Sequence, residues 1–595
     1  METIKPRIKQ VNAKEVLLRE DTEWLHFSEP YQIISAETLD DVLPALREIE
    51  RLVQENHRYA AGFLSYEAAS AFDPALPTRT INKHSSPGSV RSDEFPYLWF
   101  GLYSKPRSVA LPEAEGSKEI LDWRATTDSE TYYSAIRKIK DHIGAGRTYQ
   151  VNFTMRLQTE FTGNVWEFFL HLVQSQNRHA AYVDTGRFVI TSASPELFFQ
   201  LDNDVITCRP MKGTTSRGRT TVEDLAQSEW LKQSGKNRAE NVMIVDMIRN
   251  DLGRIARTGS VTVPQVFETE RYATLWQMTS TVKAETNASL AEIFTALFPS
   301  ASITGAPKVS TMNIIAKLES TPRKIYTGTI GYVAPQRKAK FNVAIRTALI
   351  DRDCHKAEYG VGGGIVWDST GKDEYAEALL KAQVLLKPTQ RFSLLETMPW
   401  TASEGFFLRE KHIARMLDSA DYFDIRLTDQ DLEGYLDQIS AGFRTAQRVR
   451  VLLDQHGTLS SESSPFSSLA NNQPLQVSLA LDPIDSRDVF LFHKTTQRDV
   501  YEAARKGLEH FDDVLLYNEN RELTEFTIGN LVVELGGQLL TPPIACGVLA
   551  GTFRAHLLET GQIVETVIPV PQLSHCTRIF RVNSLRRWQL AEWIV

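Results

Sequence analysis

The chain has 595 residues, and its 66 Lys+Arg against 74 Asp+Glu leave a formal net charge of −8, a length that exceeds what one hydrophobic core usually organises. With 42% hydrophobic and 24% charged residues the composition is that of an ordinary globular protein, neither disordered nor membrane-embedded. The mild acidity and the lack of a dense Lys/Arg run argue against a nucleic-acid partner.

The opening METIKPRIKQVNAKE has no apolar core of the kind a signal peptide needs. No run of about 18 uninterrupted apolar residues follows it. The most apolar window, 530–551, is broken by Glu534, Gln538, Pro542 and Pro543, so no membrane association is expected. The four cysteines, Cys208, Cys354, Cys546 and Cys576, form no CxxC pair, which gives neither a zinc motif nor a disulfide framework and suits a cytoplasmic protein.

In chain order, the Ser/Pro stretch 84–89 reads as a surface loop. Short β-branched or aromatic runs at 188–192, 197–201 and 205–208 read as strands, and Asp202-Asn203-Asp204 joins the last two as a hairpin. Next comes Arg209-Pro210-Met211-Lys212-Gly213-Thr214-Thr215-Ser216-Arg217-Gly218, read as a strand that ends at the proline and a polar loop carrying one lysine. Such a lysine is either a solvated side chain or a nucleophile whose pKa its surroundings depress. Helical periodicity covers 239–252, opened by Glu240, and 289–298.

The glycine run Gly360-Val361-Gly362-Gly363-Gly364 lies between strand-like 357–359 and 365–367, as a bulge, a tight turn or a backbone cradle for an anion. In the helical run 374–386, Glu374, Glu377 and Lys381 share one face at i, i+3 and i+7. Carboxylates on two separate helices are either solvated or suited to Mg²⁺, which takes one or two protein oxygens and leaves the rest to water and substrate. Pro388 stops that helix, so the expected division is 1–387, a linker at 388–391, and 392–595. Periodicity alone allows either α+β or α/β.

Beyond the boundary, 457–474 is a second soft spot. Strand-like 489–492 leads into His493-Lys494-Thr495-Thr496-Gln497-Arg498 and a helix at 501–506. Glu525 sits in a strand-turn region, and Gly547-Val548-Leu549-Ala550-Gly551-Thr552-Phe553-Arg554 is a small-residue turn opening a helix, a natural phosphate seat. Taken singly, these are a surface lysine, a solvated glutamate and a helix cap.

Seven ordered blocks, SASPELFF, RPMKGTTSRG, RAENVMIVDMIRNDLGR, SITGAPKVSTM, YTGTIGY, IRTALI and YGVGGGIVWDS followed by EYAEALLKA, make most of residues 1–385 resemble the chorismate-utilising enzymes. The resemblance implies an α/β sandwich that takes chorismate and Mg²⁺ in a central cleft, the metal on Glu240 and Glu377. It also implies that Thr304, Arg346, Gly362, Gly363, Gly364 and Lys381 bind the substrate. Anthranilate and isochorismate synthases carry Ala before the Gly-Thr or Gly-Ser of the second block, whereas aminodeoxychorismate synthases carry Lys, as Lys212 stands here. That branch implies Lys212 adding at C2 of chorismate while the C4 hydroxyl leaves, protonated by Glu196, after which ammonia enters at C4.

Two features depart from relatives. Gln277 stands where many have His, and an amide cannot shuttle a proton at neutral pH. The LLES motif that lines the tryptophan pocket of anthranilate synthases is missing from the amino-terminal part, which disfavours anthranilate synthase component I. No cysteine sits in a glutaminase elbow, so ammonia is expected from solution or from a separate glutamine amidotransferase subunit.

Residues 392–595 resemble the fold-type IV pyridoxal-phosphate enzymes, the D-amino-acid-aminotransferase-like group, through SLLETM, His412-Ile413-Ala414-Arg415-Met416, the Lys494 and Glu525 segments, and Val582-Asn583-Ser584-Leu585-Arg586. The opening strands usual in that family are absent here, so either the first piece supplies that cover or the domain is less active. The resemblance implies that Lys494 bonds covalently to pyridoxal 5'-phosphate and moves protons, and that Glu525 pairs the pyridine nitrogen. Arg415, Leu549 and Thr552 would hold the phosphate, and Asn583, Ser584 and Arg586 would face the substrate. A homodimer is compatible with this family. Together the resemblances imply an α+β protein that makes 4-amino-4-deoxychorismate and then eliminates pyruvate to give p-aminobenzoate, the folate precursor. The alternative keeps the first step and leaves the second domain a transaminase or inactive.

Overall fold

The computed structural model describes residues 6–21, 23–81, 95–114, 121–173, 178–382, 385, 392–466 and 473–594. The loop expected at 84–89, part of the soft spot at 457–474, the stop at Pro388 and the linker 388–391 lie outside them. Two compact units emerge: the described residues of Met1–Thr215 with Trp230–Thr389, and those of Ser216–Glu229 with Gln390–Val595. The segment 216–229, expected in the first domain, thus groups with the second, because its buried contacts are made there.

Among the described residues, the first unit holds two ten-stranded sheets. One core cluster takes Val16, Val183 and Ile190 from the first sheet and Phe63, Phe199 and Phe341 from the second, so the sheets pack face to face over a shared apolar layer. The expected hairpin forms from Leu197–Asp202 and Val205–Arg209, with Asp202 opposite Val205. Its two-residue turn places Asn203 at φ 57°, a conformation Asn tolerates.

Three helices start where their caps dictate. Ser234 accepts from the Asn237 N–H at 3.5 Å to open Gly235–Gly253. Ser289 and Glu292 form a reciprocal capping box before Leu290–Leu297, and Thr370 caps Gly371–Lys381. Caps explain why the first and third begin earlier than apolar periodicity suggests.

Two expectations change. The residues after Pro210 are not a free loop: Met211–Ser216 is a strand at the edge of the second sheet, next to Leu275–Glu285. The glycine run is neither bulge nor turn, because Lys356–Ile365 is one strand paired through all ten residues with Gln150–Glu160.

The second unit has a four-stranded sheet and an eight-stranded sheet among its described residues. The run 489–492, expected as a strand, is instead a short 3-10 turn at Val489–Leu491, capped by the Asp488 carboxylate on the Phe490 N–H. Such a local side-chain cap competes with strand geometry. Helix Thr552–Glu559 begins directly after Gly551. No helix among the described residues is long and apolar enough to cross a membrane.

Candidate functional site

In the first unit, the glycine strand explains the arrangement around Lys212. A Cβ at Gly362 would come within 2.2 Å of the Phe153 carbonyl oxygen, and one at Gly364 within 2.2 Å of Gln150 Nε2 and 3.1 Å of Lys212 Nζ. A Cβ at Gly363 would stand 3.1 Å from Glu374 Oε2 and 3.6 Å from Lys381 Nζ. The missing side chains therefore leave a bare backbone against which three charged groups lie. Lys381 Nζ donates to the Gly362 carbonyl at 2.9 Å and pairs with Glu377 at 2.8 Å.

Burial pushes the Lys212 amine below its ordinary pKa, Lys381 adds to the shift, and Glu240, Glu196 and Glu377 oppose it. Glu196, 4% exposed, is pushed up to about 7 by burial, against the Ser302 hydroxyl, Lys212 and the Met211 N–H. Burial alone would raise Glu377, but Lys381, Lys212 and Lys236 hold it low. The structure thus gathers an amine biased towards neutrality, a carboxyl biased towards protonation and an ionised carboxylate.

The Lys212 backbone is fixed from behind. Gln277 Nε2 donates to the Gly213 carbonyl at 2.9 Å and Gln277 Oε1 accepts from Thr214 at 3.1 Å. Asn241 Nδ2 reaches the Lys212 carbonyl at 3.4 Å, and Ser280 donates to Asn241 Oδ1 at 2.5 Å. Gln277 is therefore a two-point clamp on the strand, a role that needs a donor and an acceptor and no titration. Thr304 is fully buried and its hydroxyl donates to the Ser300 carbonyl at 3.1 Å. Arg346 has φ 49° and lies 5.9 Å from the Tyr272 ring.

Glu240 and Glu377 come from separate helices, Gly235–Gly253 and Gly371–Lys381. No group of three or more His, Cys, Asp or Glu able to hold a metal occurs among the described residues. Two carboxylates nevertheless match the donor set of Mg²⁺, which dehydrates reluctantly and keeps waters. Gly364→Ala should lower turnover roughly 10²-fold, because its methyl would displace Gln150 and Lys212, and misplacement near 1 Å carries that penalty. Steady-state kinetics with circular dichroism as a folding control checks this.

In the second unit, Glu525 is 3% exposed. It accepts from Tyr501 at 2.8 Å, from Asn530 Nδ2 at 2.9 Å and from the Leu549 N–H at 3.3 Å. Burial pushes it up to about 8. Lys494 is pushed down to about 8 by burial, then Arg415 and Arg498, against Glu396 and Glu525.

Arg415 binds Glu396 through two nitrogens at 2.8 and 2.6 Å and the Ala550 carbonyl at 3.0 Å. Glu396 also meets His412 Nδ1 at 2.6 Å, and His412 Nε2 meets the Thr552 hydroxyl at 3.2 Å. A Cβ at Gly551 would lie 1.8 Å from Asn530 Oδ1, so only glycine lets the turn approach this closely. A buried glutamate held by two side-chain donors, a lysine nearby, and an arginine on the Ala550 carbonyl just before the helix that Thr552 opens suit the nitrogen, aldehyde and phosphate of pyridoxal phosphate.

The Asn583 carboxamide oxygen folds back onto the N–H groups of Leu585 and Arg586 at 3.1 and 2.8 Å. Ser584 donates to the Thr397 carbonyl at 3.2 Å, and Arg586 stands 5.1 Å from the Phe466 ring. Asn583 thus shapes its own turn. Sequence reasoning did not single out Glu396, Tyr501, Asn530, Asn241 or Gln150 as site residues. Glu396 lies inside the SLLETM block, but only the fold shows it pinning Arg415 and His412.

Residues 13–387 match a family described as chorismate binding enzyme, and residues 393–592 one described as amino-transferase class IV. The chain is 37% identical over 273 residues to aminodeoxychorismate synthase component 1 of Escherichia coli (strain K12), covering 45% of this chain and 60% of that protein. It is 34% identical over 329 residues to the protein so named in Bacillus subtilis (strain 168), covering 54% and 68%. The fold is shared with anthranilate synthase component I from Streptococcus pneumoniae TIGR4, at TM-score 0.51 and 23% identity, over 64% of this chain and 94% of that one.

Proposed function

The chain belongs to the chorismate binding enzyme family, and from that premise we propose that it converts chorismate and ammonia to 4-amino-4-deoxychorismate and then to p-aminobenzoate and pyruvate. We take the domains as 1–387 and 392–595 with a linker at 388–391, apart from residues 216–229, which group with the second unit. Ammonia comes from a partner glutaminase. The observation that carries the first step is that Lys212 and Glu196 are both buried and act on each other electrostatically. Burial favours the neutral amine that a nucleophile needs, and the protonated carboxyl that a general acid needs.

In this reading Lys212 Nζ attacks C2 while Glu196 gives its proton to the departing C4 hydroxyl. Ammonia then bonds at C4 and the amine of Lys212 leaves C2, restoring the free lysine. Lys381 and Arg346 bring positive charge to the dicarboxylate. Glu240 and Glu377 would hold Mg²⁺, which supplies charge stabilisation at a substrate carboxylate. Glu377→Gln should raise the Mg²⁺ concentration for half-maximal activity by about tenfold or more, read from a metal titration of the first step; an unchanged midpoint would take Glu377 out of the metal site.

For the second step, Glu525 would hold the pyridine nitrogen, and Arg415 with Thr552 and the Leu549 backbone the phosphate. Pyridoxal phosphate, when bound, acts as an electron sink that acidifies the C4 hydrogen of the amino compound. Lys494 Nζ anchors the cofactor and takes the C4 proton. Pyruvate then leaves from C3 as the ring becomes aromatic. The lyase reading is favoured over a transaminase because the second step consumes what the first makes. Protein stripped of pyridoxal phosphate should accumulate 4-amino-4-deoxychorismate from chorismate, ammonium and Mg²⁺, and restored cofactor should convert it to p-aminobenzoate. An intermediate that persists with the cofactor present would leave the first step only.

A further inference from the structure

Residues 216–229 begin at the last residue of the strand that carries Lys212, yet they group with the cofactor unit. Their contacts there run from buried, between Tyr422 and Gly218, to exposed, at Arg219–Ala545 and Thr221–Asp418. Arg217 Nε pairs with Asp224 at 2.6 Å, and Arg217 Nη2 donates to the Tyr422 carbonyl at 2.8 Å. The Tyr422 hydroxyl donates to the Gly218 carbonyl at 2.7 Å, while the Arg217 guanidinium lies 4.4 Å from the Tyr422 ring. Arg219 lies 4.8 Å from the Phe492 ring and donates to the carbonyls of Ser486 and Ala545 at 3.2 and 3.3 Å. Thr221 donates to the Asp418 carbonyl at 3.3 Å.

Besides Ser486, the segment ties together three stretches that bear on the cofactor site. These are the helix Arg409–Tyr422 that carries Arg415, residues 492–493 immediately before Lys494, and the turn at Ala545 that leads to Leu549. The central contact is His493, 2% exposed, whose Nε2 lies 3.2 Å from the Arg219 carbonyl and whose Nδ1 lies 3.0 Å from Ser419 Oγ. A carbonyl can only accept, so Nε2 carries the proton and Nδ1 accepts from the serine hydroxyl. Burial pushes His493 down to about 4, consistent with that neutral tautomer. Its ring packs on Tyr422 at 4.3 Å and meets Phe423 edge-on at 4.9 Å, and both of its nitrogens are engaged.

We propose that residues 216–229 are a working part of the cofactor unit, and that the Arg219 carbonyl, by fixing His493, positions Lys494. The inference rests on the pyridoxal-phosphate reading above and adds positioning residues to it. His493 touches neither cofactor nor substrate in this account and acts through the backbone it shares with Lys494. Residues 216–229 lie in the stretch that resembles the chorismate-utilising enzymes, so the second domain is completed by chain outside 392–595.

The test uses full-length protein and three variants: His493→Phe, which keeps a packed ring but no hydrogen bond, His493→Gln, whose amide N–H can still reach Arg219, and Tyr422→Phe, which frees the Gly218 carbonyl. Each is stripped of cofactor and titrated with pyridoxal phosphate, reading the dissociation constant and the pH midpoint of the bound cofactor's visible absorbance. His493→Phe should weaken binding about tenfold, the cost of leaving a half-buried carbonyl unpaired, and should move the midpoint. His493→Gln should restore both to within about threefold. Tyr422→Phe should move the midpoint in the same direction and serves as the deciding variant if His493→Phe does not fold. Wild-type binding and an unmoved midpoint in a folded His493→Phe, or in Tyr422→Phe in its place, would overturn the inference. Lowered melting temperature with an unmoved midpoint would do the same, since that is the mark of a purely structural contact. A wild-type protein that binds no pyridoxal phosphate would instead remove the reading beneath it.

Discussion

Lys212→Ala should abolish amination of chorismate, with a loss on the order of 10³-fold or more, since the variant lacks the attacking amine and general catalysis alone supplies about 10²–10⁴-fold. The loss should not reflect unfolding. Lys212 sits where burial disfavours its charge, so Lys212→Met should melt at or above the wild-type temperature. The pH profile carries a second signature. Glu196 must be protonated to act as an acid, and burial brings it to about 7, so the first step should lose rate as pH rises through about 7. At the acid end, the rate should fall as Lys212 takes up a proton. Glu196→Gln should be slow and should lack the alkaline limb. A retained limb in that variant would assign it to another group, and unchanged amination in Lys212→Ala would remove the nucleophile from the account.

The second large effect is expected at Lys494. Lys494→Ala should stop p-aminobenzoate formation, by on the order of 10³-fold or more, while the first step continues and 4-amino-4-deoxychorismate accumulates. The visible absorbance of purified protein should vanish with the lysine. Glu525→Gln should retain cofactor but slow the second step, because the pyridine nitrogen would lose a charged partner and the electron sink would weaken. Both variants are read by separating products from one reaction mixture, which shows at once which step has failed. Normal p-aminobenzoate formation by Lys494→Ala would exclude Lys494 from proton transfer.

The chemistry was legible where it sits in short blocks. Lys212, Glu240, Glu377 and the glycines stand in contiguous motifs, and the hairpin at 197–209 announces itself by turn chemistry. What stayed hidden depends on distant partners. The glycine run reads as a break, since only pairing with Gln150–Glu160 shows that its bare backbone is a strand surface. The clamp by Gln277 on Gly213 spans 64 positions, and Glu396 reaches Arg415 across 19, so neither appears in a local pattern. The 3-10 turn at Val489–Leu491 is set by the Asp488 cap, which overrides the β propensity of its residues. Hardest to see was the allegiance of 216–229, which lies within the stretch matched to one family and packs with the unit matched to another.

The most direct measurement supplies the purified protein with chorismate, ¹⁵N-ammonium, Mg²⁺ and pyridoxal phosphate, and follows products by mass spectrometry. The account predicts ¹⁵N-labelled p-aminobenzoate and one pyruvate for each molecule formed. Labelled anthranilate, the product of amination at C2, would contradict it.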